Sequence, residues 1–385
     1  MAKILILGGG FAAISAAETI AAGIGDAHEI TLVSKSSDLT FYPAIVPMVF
    51  GDLAPEDIRF DLRHPLAAHS IRFVQGEVRA INTRLRKVEV AQDRLDTTLD
   101  FDYLIMAIGP RIAAALLPGL LENAHDLLTI DGAVKFKEAV SEFESGSIVV
   151  GLGPEANLPV PVCESAFALS EKFREEIKRG DVSVSAVFPS SVEKAFAGST
   201  LFRDVKAEFD RKGIRLVSDF PIAQVEVDQI VSTSGESIHH DLLMLIPPFA
   251  SQLSLHNLGP ITDIWGFAKV DSLMRVEGVD RIYAASDIVS LSGPKFGYMA
   301  MRQGKVAALN ILAELRGEKP SKEYVHKIEW AIGERYTDPI FFHYGFWDNT
   351  LEDFDDNALF GMAKKVRARY GSIDTSFASS GAACV

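Results

Sequence analysis

The chain has 385 residues, 48% of them hydrophobic, and a formal net charge of −14. That length predicts two or three domains with more than one core, and the acidic balance argues against non-specific nucleic-acid binding. Its two cysteines, Cys163 and Cys384, form no C-x-x-C, which excludes an adjacent redox thiol pair and a cysteine-based zinc or iron–sulfur centre.

Ile4–Leu7 is an apolar run without alternation, the pattern of a parallel strand buried on both faces. Gly8, Gly10 and Ala13 follow at the G-x-G-x-x-G/A spacing, and Ala12–Ile20 predicts an Ala-rich helix. Gly8 permits the tight turn and Gly10 lets backbone approach a pyrophosphate. Ala13 keeps the helix near the strand, and the helix N-terminus offers unpaired N–H groups to phosphate. Set between a strand and a helix, this pattern predicts dinucleotide binding.

Glu29–Val33 predicts a second strand, closed by Ser34-Lys35 where an acidic residue usually holds the adenosine ribose. Thr40–Gly51 reads as an unusually apolar loop, either packed on the core or walling a pocket. Ile71–Ala80, Lys87–Val90 and Leu99–Ile108 predict a small β-meander that turns at Gly109-Pro110. Ile148–Val150 with Gly151 and Gly153 repeats the strand-plus-glycine pattern in degenerate form. Pro154 removes an N–H, and Asn157–Pro161 breaks the helix, which is predicted to resume over Glu164–Arg179. A second dinucleotide-like domain that has lost its nucleotide grip is therefore expected.

Val182–Phe188, Leu242–Ile246 and Arg281–Ala285 predict further strands, and Met299–Leu315 a helix. Tyr324–Trp330 and Ile340–Trp347 read as late strands, and Phe354–Tyr370 as an amphipathic helix before a Ser/Gly/Ala tail. His239 and His240 read as a solvated turn, and no metal site is expected. The first strand starts at Lys3, leaving no room for a secretory leader. No apolar stretch reaches the ~18 residues of a membrane span. A cytoplasmic protein is expected, or one peripheral on the inner face of the cell membrane.

In order along the chain, Ile4–Ala13, Asp102–Gly109, Ile282–Asp287 and Pro294–Asn310 resemble the FAD-binding motifs of the two-dinucleotide-domain flavoproteins, the pyridine nucleotide–disulfide oxidoreductase group. Phe41-Tyr42-Pro43, Leu245–Phe249, Pro294–Gly297 and Pro161–Glu164 are similar to the sulfide:quinone oxidoreductase and flavocytochrome c sulfide dehydrogenase branch. The resemblance covers about residues 1–350. It implies an α/β fold of two Rossmann-like three-layer ββα dinucleotide-binding domains with a C-terminal helical/β extension. The expected divisions are 1–112 and 241–318 for the two FAD halves, 113–240 for the second domain, and 319–385 for a quinone- or membrane-facing region and tail.

The resemblance further implies FAD held by Gly8, Gly10, Phe11, Ala12, Ser34, Lys35, Pro43, Ala107, Gly109, Asp287, Lys295 and Gly297. Asp287 would take the ribityl hydroxyls, and Lys295 could place positive charge near the flavin. Cys163, Glu164 and Lys295 are the candidate catalytic residues, although the branch uses two cysteines and the region around Lys327–Ala331 has none. Cys163 also reads as a small buried residue, Glu164 as a helix cap and Lys295 as a solvated loop lysine. Tyr298, Met299, Phe341, Phe342, Tyr344, Phe346 and Trp347 could form a quinone slot or belong to the core. Phe354–Tyr370, with Lys364, Lys365, Arg367 and Arg369, could lie on an anionic bilayer or dock on the protein.

The activity implied is electron transfer from sulfide or a related sulfur donor through FAD to quinone. Type II NADH:quinone oxidation, or a scaffold or electron-transfer subunit without donor chemistry, stands as the alternative. A homo-oligomer is left open.

Overall fold

The apolar runs without alternation become parallel strands covered on both faces, as their composition requires. A computed structural model describes residues 1–24, 27–93, 96–196, 201–256, 258–291, 293–326, 328–332 and 340–344. Lys3–Leu7 lies centrally in a five-stranded parallel sheet, between Glu29–Ser34 and Tyr103–Met106, with Arg72–Gln75 and Ile282–Ala284 at the edges. The strand 282–284 is contributed from far along the chain, so both ends of the described sequence build one unit around a single apolar core.

Two helices pack on that sheet and against each other, Phe11–Ile24 after the first strand and Gly297–Leu315 near the end. Their closeness rests on two glycines. A Cβ on Gly304 would overlap the Ala12 carbonyl oxygen, and one on Gly23 would meet Leu312 at 2.5 Å. Glu77–Asn82, Lys87–Ala91 and Thr97–Asp100 form the expected antiparallel meander, while Arg72–Gln75 and Tyr103–Met106 belong to the parallel sheet.

The second unit is a four-stranded parallel sheet in the order Arg215–Val217, Val182–Val187, Gly146–Leu152, Leu242–Ile246. Leu242–Ile246 therefore pairs inside the second sheet, past the expected division at residue 240. The two chain crossings between units, Pro110–Ile112 and Phe249–Ser251, pair with each other as an antiparallel ribbon.

Local departures from the sequence reading have plain causes. Thr40–Gly51 is not an irregular loop: Ile45–Phe50 is a helix burying Ile45, Val46, Met48 and Val49. Lys137 of the second unit donates to the carbonyls of Met48 and Gly51 at 2.9 and 2.8 Å, supplying the cation a helix C-terminus favours. The helix expected from Glu164 begins at Pro159, because proline in a first turn sacrifices only N–H groups that have no helical partner. It ends at Lys172, and a separate helix covers Arg174–Arg179. His240 is not in a solvated turn; it is 3% exposed, and burial holds its imidazole below the usual range.

The late strands are Ile328–Ile332 and Ile340–Tyr344, paired antiparallel. Phe346, Trp347, Phe354–Tyr370 and Cys384 lie outside the described residues. No helix among the described residues is long and apolar enough to cross a membrane.

Candidate functional site

The first strand ends at Gly8, whose φ of +117° and contact with Ala107 admit no side chain: a Cβ would overlap the Ala107 carbonyl oxygen. The Gly8 N–H donates to Val33 and the Ala107 N–H to Leu7, so the neighbouring strands clamp the turn. Gly10 and Gly109 are different. No atom lies within 4 Å of a Cβ built on either, so backbone there faces open space. The helix starting at Phe11 directs the unpaired N–H groups of its first turn at that opening.

Phe11 is gripped from two sides. Its ring meets Phe41 edge-on at 5.9 Å, and the Gly297 Cα approaches so closely that a Cβ would sit 3.2 Å from it. The N-termini of the two sheet-packing helices thus converge on one aromatic ring. Beside them Tyr42 and Pro43 stand exposed. The Tyr42 hydroxyl donates to the Leu128 carbonyl at 3.0 Å. Although much of the side chain faces solvent, desolvation of the hydroxyl by the protein around it, then the carboxylates of Asp126 and Asp287, hold it above the usual phenol range.

Ala12 is buried, with Gly304 of the long helix against its backbone. Ser34 is buried under Gly9, where a Cβ would meet its hydroxyl at 2.5 Å. Lys35 projects outward and pairs with Glu77 at 3.4 Å, so this strand end offers a dinucleotide a hydroxyl and no carboxylate.

Asp287 follows the edge strand Ile282–Ala284 and lines a cleft with Ser286, Lys295, Gln303 and His326. Burial raises its carboxyl above the usual range, and Lys295 opposes that rise. None of the described residues hydrogen-bonds the Asp287 carboxylate. Lys295 is a half-buried strut, not a solvated loop lysine: its ammonium donates to the carbonyls of Val289 and Leu291 at 3.1 and 3.2 Å. It lies 5.9 Å from the Phe267 ring centroid. Burial lowers its pKa, against the pull of Asp287 and Asp263. Its backbone N–H donates to Asn157, which brings the second glycine loop against the cleft.

That second loop has little to offer a phosphate. The Gly153 N–H is taken by Ile246, and Pro248 fills the space beside it, 2.8 Å from a built Cβ. Pro154 has no N–H, and prolines occupy positions 159 and 161 in the first helical turn. Cys163 sits on that helix with no exposure, among Val162, Ala166 and Phe167. Burial, then the Glu164 carboxylate, pushes its thiol far above the ordinary range. Glu164 is half-buried in the second turn and so is not the N-cap, which is Leu158. Tyr298 and Met299 are buried in the core of the second unit.

The structure thus sets Gly8 against Ala107 and Gly297 against Phe11, brings Asp287 and Lys295 into one cleft, and leaves Cys163 sealed away. Sequence reasoning missed Gln303, whose Oε1 accepts the Ser286 N–H at 2.7 Å, and Ser286 itself. The signal for Gln303 was present: Gln303 and Asn310, seven residues apart, are the buried polar residues on an otherwise apolar helix face. Among the described residues no cluster of His, Cys, Asp or Glu could hold a metal ion.

Comparisons with known proteins bear on the family and the fold. The profile of the family described as "Pyridine nucleotide-disulphide oxidoreductase" matches residues 2–304. An NADH dehydrogenase-like protein of Mycobacterium tuberculosis is 23% identical, over 82% of this chain and 81% of its own. The demethylphylloquinone reductase NdbB of Synechocystis is 25% identical, over 82% and 80%. Among solved structures, the sulfide:quinone oxidoreductase of Aquifex aeolicus shares the fold at a TM-score of 0.78 and 19% identity, covering 86% of this chain and 81% of that one.

Proposed function

The chain belongs to the pyridine nucleotide–disulphide oxidoreductase family and is an FAD-dependent oxidoreductase; within that family we propose that it reduces a quinone with electrons from sulfide or a related small sulfur donor. The residues around the opening suit FAD. Gly10, Gly109 and the first-turn N–H groups of the helix at Phe11 present bare backbone to a pyrophosphate. Asp287 offers to ribityl hydroxyls a carboxylate that none of the described residues hydrogen-bonds. When bound, FAD supplies the two-electron chemistry, and the protein's part is position and field.

Within that part, Lys295 holds the Val289 and Leu291 carbonyls and sets a positive charge beside Asp287. Phe11, Phe41 and Gly297 close the aromatic side of the opening, and Tyr42 ties its rim to the second unit. Cys163 is a packing residue, since a thiol sealed in an apolar core is neither accessible nor easily ionised. A sulfur donor would then act at the flavin without a protein thiol relay.

The observation that carries the choice of donor is the second glycine loop, where the Gly153 and Ala156 N–H groups are taken within the protein and positions 154, 159 and 161 are proline, which leaves few donors for a nicotinamide dinucleotide. The quinone acceptor is supported by the names of relatives, a demethylphylloquinone reductase and a sulfide:quinone oxidoreductase. The second reading, NADH as donor, is favoured by the NADH dehydrogenase-like relative. A membrane-surface location would suit a lipid-dissolved acceptor. The test is quinone reduction by the purified flavoprotein with sulfide as donor. Turnover supports the proposal, and no turnover with sulfide points to NADH or to a scaffold role.

A further inference from the structure

We propose that Ser286 is a flavin-binding residue whose hydroxyl hydrogen-bonds to bound FAD beside Asp287. The proposal rests on the FAD assignment above. Ser286 has a φ of +76°, in the left-handed region where any Cβ is costly and glycine is not. Its Oγ is buried and has no hydrogen-bond partner among the described residues. A buried hydroxyl without a partner is the second cost carried by this one side chain. Glycine would remove both, so the serine works against the stability of the flavin-free fold.

The conformation is not slack. Ala285 donates to Met106, and Gln303, itself 4% exposed, accepts the Ser286 N–H at 2.7 Å from the long helix. Gln303 therefore holds the peptide that fixes where both the Ser286 hydroxyl and the Asp287 carboxylate stand. Both residues line one cleft. An ionised carboxylate can only accept hydrogen bonds, whereas a hydroxyl also donates. Together they satisfy a ligand that presents hydroxyls and acceptor atoms side by side, as the ribityl-flavin end of FAD does. Strained backbone at a ligand site is a recognised use of such energy.

The test compares wild type, Ser286→Gly and Ser286→Ala as holoproteins, following FAD release by the recovery of flavin fluorescence, and the melting of each flavin-free protein. Both variants should release FAD about three- to tenfold faster, the loss of one ordinary hydrogen bond. Flavin-free Ser286→Gly should melt above wild type. Release within twofold of wild type in Ser286→Ala overturns the proposal, including the case in which only the glycine variant is faster, which would report backbone loosening. Wild-type protein that retains no FAD overturns the flavoprotein assignment itself; normal retention with unchanged variants overturns only the role of Ser286.

Discussion

A methyl group on Gly304 would overlap the carbonyl oxygen of Ala12, so the long C-terminal helix and the glycine-loop helix meet backbone to backbone. That contact sets the spacing between the helix that starts at Phe11 and the helix that starts at Gly297, beside the cleft around Asp287. Gly304→Ala should destabilise the protein by about 1–3 kcal/mol, the usual cost of overpacking a core. The variant should also lose FAD more readily, because the two helix N-termini would be pushed apart. Thermal melting and flavin content check both; a variant with wild-type melting would show that the helices can slide freely.

Gly8 and Gly10 should separate folding from binding. Gly8→Ala sets a Cβ onto the Ala107 carbonyl at a positive φ, and it should yield little folded protein. Gly10→Ala meets nothing within 4 Å, so it should fold with wild-type stability and still bind FAD poorly. Equal FAD affinity in Gly10→Ala and wild type would remove Gly10 from the cofactor site.

Much of this arrangement was legible in the sequence. The strand, glycine turn and helix at residues 3–24 announced themselves because the turn's geometry demands those residue types in that order. The segment 40–51 hid its helix because a short apolar run with Pro43 and Pro47 carries no amphipathic period, and what stabilises it is tertiary: Lys137 at its C-terminus and the core of the second unit around its apolar faces. The place of Leu242–Ile246 in the second sheet was equally hidden, since an apolar run does not say which sheet it joins. Ser286 was invisible because a positive φ at a serine has no sequence signature.

Lys137 joins the two units through the Ile45–Phe50 helix. Lys137→Met keeps most of the apolar stem and removes the donor, and it should cost about 1.5–3 kcal/mol, the range for hydrogen bonds to a charged group. Loss of protection should be concentrated at 45–53 in hydrogen exchange. Uniform loss across both sheets would contradict the idea of a local clamp.

Asp287 predicts a pH dependence of unusual sign. Its folded carboxyl lies above the ordinary aspartate value of 3.8 because it is buried. In that window the folded state holds more protons than the unfolded state, so stability falls as pH rises from 3.8 through the folded value. The cost is absent below 3.8 and complete above the folded value. Flavin-free Asp287→Asn should therefore gain stability relative to wild type as pH rises across that window, while retaining FAD less well. A relative stability that is flat with pH would place the carboxylate in solvent.

Cys163 should be chemically silent. Iodoacetamide at pH 8 should leave it unmodified in the native protein and alkylate it once the chain is unfolded, as mass spectrometry of the peptide would show. Cys163→Ala should cost roughly 1 kcal/mol as a small core deletion and change the rate of sulfide-dependent flavin reduction by less than twofold. Loss of that reduction with flavin content intact would return Cys163 to the chemistry.

The donor decides the account. Anaerobic stopped-flow mixing of the FAD-loaded protein with sulfide and, separately, with micromolar NADH follows the bleaching of the oxidised flavin directly. The proposed donor predicts rapid bleaching by sulfide, and the second glycine loop predicts slow, weakly saturating bleaching by NADH. Rapid bleaching at micromolar NADH, with sulfide inert, would contradict it and make the protein an NADH:quinone oxidoreductase.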